Sequence, residues 1–127
     1  MAERDLSRRV MRILKDMGKC PVRIESSCTP GCPDIAYIGG WIELKYLPEW
    51  SRDGAVALHN LRPAQEAWHR AWAAKGGQSL CIIQVERNYL AIPGKLLYRG
   101  MRLYACNATS SLADLLAVAM RVHGMNP

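Results

Sequence analysis

Apolar positions along the 127-residue chain change their spacing several times, and each change predicts an element. Over residues 3–17, Leu6, Val10, Ile13, Leu14 and Met17 recur at helical intervals and make one stripe. Gly18 follows as a stop signal. The period then shortens. Residues 21–26, 34–38 and 41–47 read as strands, with Gly39-Gly40 as a tight hairpin signal between the last two. Between the first two, Cys28-Thr-Pro-Gly-Cys-Pro33 is rich in turn formers. Residues 48–60 form a polar connection, long enough inside a small domain to suggest a functional or mobile segment. Pro63 fits the first turn of a helix running to about Lys75, which Gly76-Gly77 ends. Residues 80–85 are an apolar strand expected to be buried on both faces, and 89–92 can pair with it as a hairpin. Residues 94–109 give no clear reading. Ser111 with Asp114 resembles a capping box for a last helix to about His123, with Leu112, Leu115, Leu116 and Ala119 as its stripe.

The order is helix, three strands, helix, strand, short strand, helix. That predicts an α/β domain with a central mixed β-sheet flanked by helices. The length suits one domain over 1–127, because two independent cores would each be marginal. Half the residues are apolar, enough for one core. No run of eighteen apolar residues is present, and no apolar signal region follows Met-Ala-Glu-Arg-Asp-Leu6. The expectation is a soluble, cytoplasmic protein without a membrane partner. Lys and Arg total 17 against 11 Asp and Glu, a net charge of +6, which points to a polyanionic partner, most often nucleic acid. Arg8, Arg12 and Lys15 share one face of the first helix, either as ordinary solvated charges or as DNA contacts. The five cysteines are odd in number and scattered, which suits a reducing compartment. Cys28 and Cys32 lack the second spaced pair that a structural zinc site wants.

The chemistry concentrates in Gly31-Cys-Pro-Asp34 and Trp41-Ile-Glu43-Leu-Lys45. Alternate side chains of a strand share a face, so Glu43 and Lys45 point one way while Ile42 and Leu44 point the other. The hairpin brings Asp34 alongside. Two carboxylates and an ammonium then sit at one end of a sheet, among residues where charge is costly unless paired or metal-bound. Adjacent carboxylates repel each other and want a cation. Hard oxygen ligands suit Mg²⁺, and a metal-bound water beside a lysine is a nucleophile for phosphodiester hydrolysis.

Pro33-Asp34, eight intervening residues and Glu43-Leu-Lys45 resemble the PD-(D/E)xK nuclease superfamily, and more specifically its VRR-type (virus-type replication-repair) nuclease domain. The resemblance covers residues 3–85, including Leu61-Arg-Pro-Ala-Gln65, Trp68 and Gly77. It implies a restriction-endonuclease-like core in a small standalone, phage-like member, cytoplasmic in the host. Residues 86–127 would complete the core or form a dimer surface. By the same resemblance, Asp34, Glu43 and the Leu44 backbone carbonyl would bind Mg²⁺, with Mn²⁺ able to substitute, and Lys45 would orient the attacking water. Glu3 would be the family's first-helix glutamate and a further metal ligand, or else only an acid favoured by the helix dipole. Gln65 would position water or phosphate, or else be a buried amide satisfying backbone groups. The implied activity is a DNA endonuclease selective for branched or four-way-junction DNA, acting as a homodimer without a small-molecule cofactor. A less selective nuclease for single strands, nicks or flaps and a non-catalytic DNA-binding module are the alternatives. Trp68 and Trp72, set among alanines, are expected to pack in the core.

Overall fold

The computed structural model describes residues 2–24 and 29–124. Helix α1 (Ala2–Asp16) buries Leu6, Val10 and Leu14 completely, as its stripe predicts. It stops where Gly18 takes φ +74°, and the Gly18 and Lys19 N–H groups turn back to the carbonyls of Lys15 and Leu14. Strands β1 (Val22–Arg23), β2 (Ile35–Tyr37) and β3 (Gly40–Leu47) follow. The turn between β2 and β3 pairs Tyr37 with Gly40, so the double-glycine hairpin forms as expected. The first strand is shorter than its sequence predicts; Glu25, Ser26 and Cys28 lie outside the described residues.

After β3 come β4 (Ala55–Ala57), α2 (Pro63–Ala74), β5 (Ser79–Val85), β6 (Asn88–Pro93), β7 (Arg102–Tyr104) and α3 (Leu112–Gly124). Five strands make one sheet in the order β1-β2-β3-β5-β6, parallel between β3 and β5 and antiparallel elsewhere. Helix α2 is the crossover that a parallel pair requires. The α/β class with a mixed sheet flanked by helices is therefore realised. The polar connection 48–60 is not structureless, however. Its β4 pairs antiparallel with β7, Val56 facing Leu103, in a separate two-stranded sheet. The unread stretch 94–109 supplies β7 between two 3₁₀ turns, Gly94–Leu96 and Ala105–Asn107.

The main sheet is buried on both sides. Leu6, Val10, Leu14, Ile42, Leu44, Leu80, Ile82, Leu112, Leu116 and Met120 join α1, α3 and one sheet face. Leu47, Leu58, Leu61, Cys81, Ile83, Val85, Leu90, Leu97 and Leu103 fill the other face, under the start of α2 and the small sheet. Strand β5 feeds both clusters with alternate residues, which explains its unbroken apolar run. Beyond residue 85, Tyr89, Leu112, Leu116 and Met120 join the first cluster, and Leu90, Leu97 and Leu103 join the second. Arg9 ties α1 to the sheet, donating to the Tyr89 hydroxyl and, at 3.1 Å, to Gln84 Oε1. Among the described residues, no helix is long and apolar enough to cross a membrane.

Candidate active site

Asp34 sits at the entry to β2, where the ladder to β3 begins. Its N–H donates to the Ile42 carbonyl at 3.0 Å, and its Oδ2 accepts the Leu44 N–H at 2.8 Å. The side chain thus takes the place of the next ladder partner along β3. The preceding turn is brought there by Gly31, which has φ +80° and lies against the start of α2. A Cβ at Gly31 would stand 2.0 Å from the Ala64 carbonyl oxygen, so only glycine allows this approach.

Glu43 and Lys45 project from β3 on the α2 side, opposite Ile42 and Leu44, as strand alternation predicts. Both are buried, with 1% and 7% of their surface exposed. Lys45 Nζ donates to the Asn60 carbonyl at 2.9 Å, and Asn60 Nδ2 donates to the Tyr46 carbonyl at 3.1 Å. Gln65 Nε2 donates to Glu43 Oε2 at 3.0 Å. The other end of that amide caps its own helix, Oε1 accepting the Arg62 N–H at 2.9 Å. Gln65 is therefore committed at both ends: it holds Glu43 and starts α2. Of the two roles the sequence leaves open, the bond to the Arg62 N–H satisfies a backbone group, while the second Nε2–H stays available for water or phosphate.

Burial first, and then the neighbouring Asp34 charge, push the Glu43 carboxyl up to about 9. The positive charges of Lys45 and Arg62 oppose that shift only in part. Glu43 Oε1 is buried and has no hydrogen-bond partner. A cavity of about 150 Å³ lies beside Asp34 and Leu44, lined also by Glu3, Arg4, Ser7 and Arg23. Ser7, 4% exposed, brings to it a hydroxyl that also lacks a partner. A residue's N–H and C=O face the same edge of a strand, so the Leu44 carbonyl lies on the Asp34 side too.

These features fit a hard divalent cation. Two crowded carboxylates, one with an unsatisfied oxygen, and a strand carbonyl are an oxygen-rich donor set that a cation would relieve. Among the described residues, no three His, Cys, Asp or Glu side chains group closely enough to hold a metal by themselves. Glu3 lines the same cavity but is exposed. Arg8, Arg12 and Lys15 are exposed along α1, and Arg8 lies 3.9 Å from Asp5. Arg4 and Arg23 line the same cavity as Asp34, and sequence spacing did not single them out.

Sequence reading also missed His69. It is fully buried on α2, four residues after Gln65, with Nδ1 2.7 Å from Ser79 Oγ and Nε2 3.7 Å from Glu43 Oε1. The signal was available, because His69 follows Gln65 by four residues and so shares its helix face. Burial holds the His69 ring down to about 4, so it is neutral at pH 7. Trp68 and Trp72 depart from expectation. They stack on one another with centroids 5.1 Å apart, beside Trp41, and Trp72 is 37% exposed rather than a core residue. Cys32 stands at the site and Cys81 beneath it; burial, then nearby carboxylates, raises both thiols.

No family model matches the sequence, and no curated protein matches it at a significant level. The fold does have solved relatives. The chain is similar to the structure of Archaeoglobus fulgidus Hjc, a Holliday junction resolvase from an archaeal hyperthermophile, with a TM-score of 0.61. That match covers 92% of this chain and 97% of that chain at 16% identity. At this identity the likeness shows the fold alone, a restriction-endonuclease-like mixed sheet flanked by helices.

Proposed function

We propose that this chain is a divalent-metal-dependent DNA endonuclease of the PD-(D/E)xK type, selective for branched DNA such as a four-way junction. The observation that carries the reading is the trio of Asp34, Glu43 and Lys45, gathered at one end of the main sheet with a buried carboxylate oxygen left unsatisfied. The similarity in fold to a Holliday junction resolvase supports the substrate class. The VRR-type, phage-like assignment rests on the sequence motifs.

In this reading Asp34, Glu43 and the Leu44 carbonyl hold Mg²⁺ or Mn²⁺. The bound ion would polarise the scissile phosphate and acidify a coordinated water. Gln65 fixes the rotamer of Glu43. Lys45 has three N–H bonds and spends one on Asn60, which leaves two for the attacking water and a phosphate oxygen. Water is added across one P–O bond. Ser7 and Glu3 line the cavity and would hold water of the ion's hydration shell. Arg4 and Arg23 are placed for the flanking phosphates, and Arg8, Arg12 and Lys15 extend that basic surface along α1. Symmetric cutting of a two-fold junction calls for a homodimer, and a sharp monomer mass by light scattering at assay concentration would count against it.

The deciding experiment incubates the purified chain with Mg²⁺ or Mn²⁺ and labelled single strand, duplex, flap, splayed arm and four-way junction. Metal-dependent cleavage confined to the junction is expected. Cleavage of several forms would make it a broader processing nuclease. Binding without cleavage of any substrate would leave a DNA-binding module.

A further inference from the structure

The pair formed by His69 and Ser79 has no part in the assignment above, yet it faces the buried carboxylate directly. We propose that His69 is a positioning residue for Glu43, with Ser79 fixing its tautomer so that Nε2–H points at Glu43 Oε1. This rests on the nuclease reading, because it concerns Glu43 as an ionised ligand. Neutral imidazole carries one N–H, and a hydroxyl can either donate or accept. The Ser79 contact at 2.7 Å therefore works in both tautomers. The Glu43 side does not, since a carboxylate only accepts. Once Glu43 is ionised, one arrangement satisfies every atom: Ser79 O–H donates to Nδ1, and Nε2–H faces Oε1.

The opposing bland account is a core histidine satisfied by a core serine. Two observations weigh against it. His69 Nε2 and Glu43 Oε1 are both buried, both without a hydrogen-bond partner, and 3.7 Å from each other. That gap is just beyond a hydrogen bond, within reach of a small side-chain rotation. Gln65 and His69 sit one turn apart on α2 and address the two oxygens of the same carboxylate. Gly94 makes room for the His69–Ser79 contact that both accounts share: a Cβ there would stand 1.9 Å from Ser79 Oγ and 2.8 Å from His69 Nδ1. Each carboxylate oxygen has two lone pairs, so a donor on each still leaves acceptor capacity for a cation. Partners of this kind orient a ligand and tune its basicity.

The test reads the His69 ring by ¹⁵N NMR in the full chain, with and without Mg²⁺, alongside Mg²⁺ affinity by calorimetry. The expected Mg²⁺-loaded wild type shows the Nε2–H tautomer, and Ser79→Ala shows a mixture. His69→Leu should weaken Mg²⁺ binding about 10- to 100-fold, the usual cost of losing such a partner. His69→Gln can keep a donor near Oε1 and should stay within about threefold of wild type. An Nδ1–H tautomer in the loaded wild type, or wild-type affinity in His69→Leu, overturns the proposal while leaving the nuclease reading intact. A wild type that binds no Mg²⁺ overturns both. Should His69→Leu fail to fold, the tautomer measured in wild type and Ser79→Ala still decides.

Discussion

Ile42 and Leu44 on one face of β3 are as deeply buried as Glu43 and Lys45 on the other, yet the two faces do opposite things for the fold. The apolar face meets Leu6, Leu80, Ile82 and Leu116, and the burial of each side chain stabilises the protein. The polar face is tied down by Lys45 to Asn60 and by Gln65 to Glu43, but one Glu43 oxygen is left unsatisfied and the carboxyl is held in a proton-binding state. A side chain there costs stability and gains chemical readiness. Burial alone therefore says nothing about which face is functional; the balance of donors and acceptors does.

Substitutions on the two faces should separate these roles. Lys45→Ala is expected to have the largest effect, lowering cleavage by about a thousandfold or more, equivalent to roughly 4 kcal/mol of transition-state stabilisation. Its circular dichroism and DNA binding should stay close to wild type, and normal turnover would remove Lys45 from the site. Across the strand, Ile42→Ala should destabilise by about 3 kcal/mol in a denaturant titration, through lost burial and a cavity. Gly31→Ala comes next, at about 2 kcal/mol, because its new Cβ meets the α2 backbone and its φ is left-handed. It should also impair cleavage, since the same turn delivers Asp34.

One substitution moves activity and stability in opposite directions. Glu43→Gln should abolish cleavage yet stabilise the metal-free protein at about pH 8. The folded chain holds the Glu43 proton up to about 9, whereas the unfolded chain releases it near 4.5. Between those values the folded state binds more protons, so stability falls as pH rises, and the advantage of Glu43→Gln should grow across that window. His69 works on the acid side. Its folded value near 4 lies below the unfolded 6.5, so its contribution is complete above 6.5 and lost as pH falls toward 4. Thermal melts of both proteins across pH 4–9 check the two limbs together.

The stripe of α1, the glycine hairpin and the alternation of Glu43 with Leu44 were legible because each is a local pattern whose period the backbone imposes. Strands β4 and β7 were not. Each is three residues long, too short for a period to show, and each owes its existence to a partner far along the chain. Gln65 was legible as an inward residue, but its double engagement depends on the meeting of α2 with β3. His69 was not legible as a site residue because its contacts, Ser79 and Glu43, come from other elements. Trp68 and Trp72 are expected in the core because alanines surround them, whereas they pack on Trp41 at the start of β3 and Trp72 stays partly exposed. Spacing identified which residues face inward on β3; which of them lack a partner emerged only from packing.

The parallel pairing of β3 with β5 has a consequence for the order in which the protein matures. Glu43 stands opposite Cys81, and the whole of α2 must be made before that register can close. Contacts so distant in sequence form late, after the local helix and hairpin. On a ribosome, Asp34, Glu43 and Lys45 emerge early, but Gln65 and then β5 must follow before Glu43 is held in place. A growing chain consequently carries these three side chains for some time without the frame that aligns them, and the frame closes only when β5 docks.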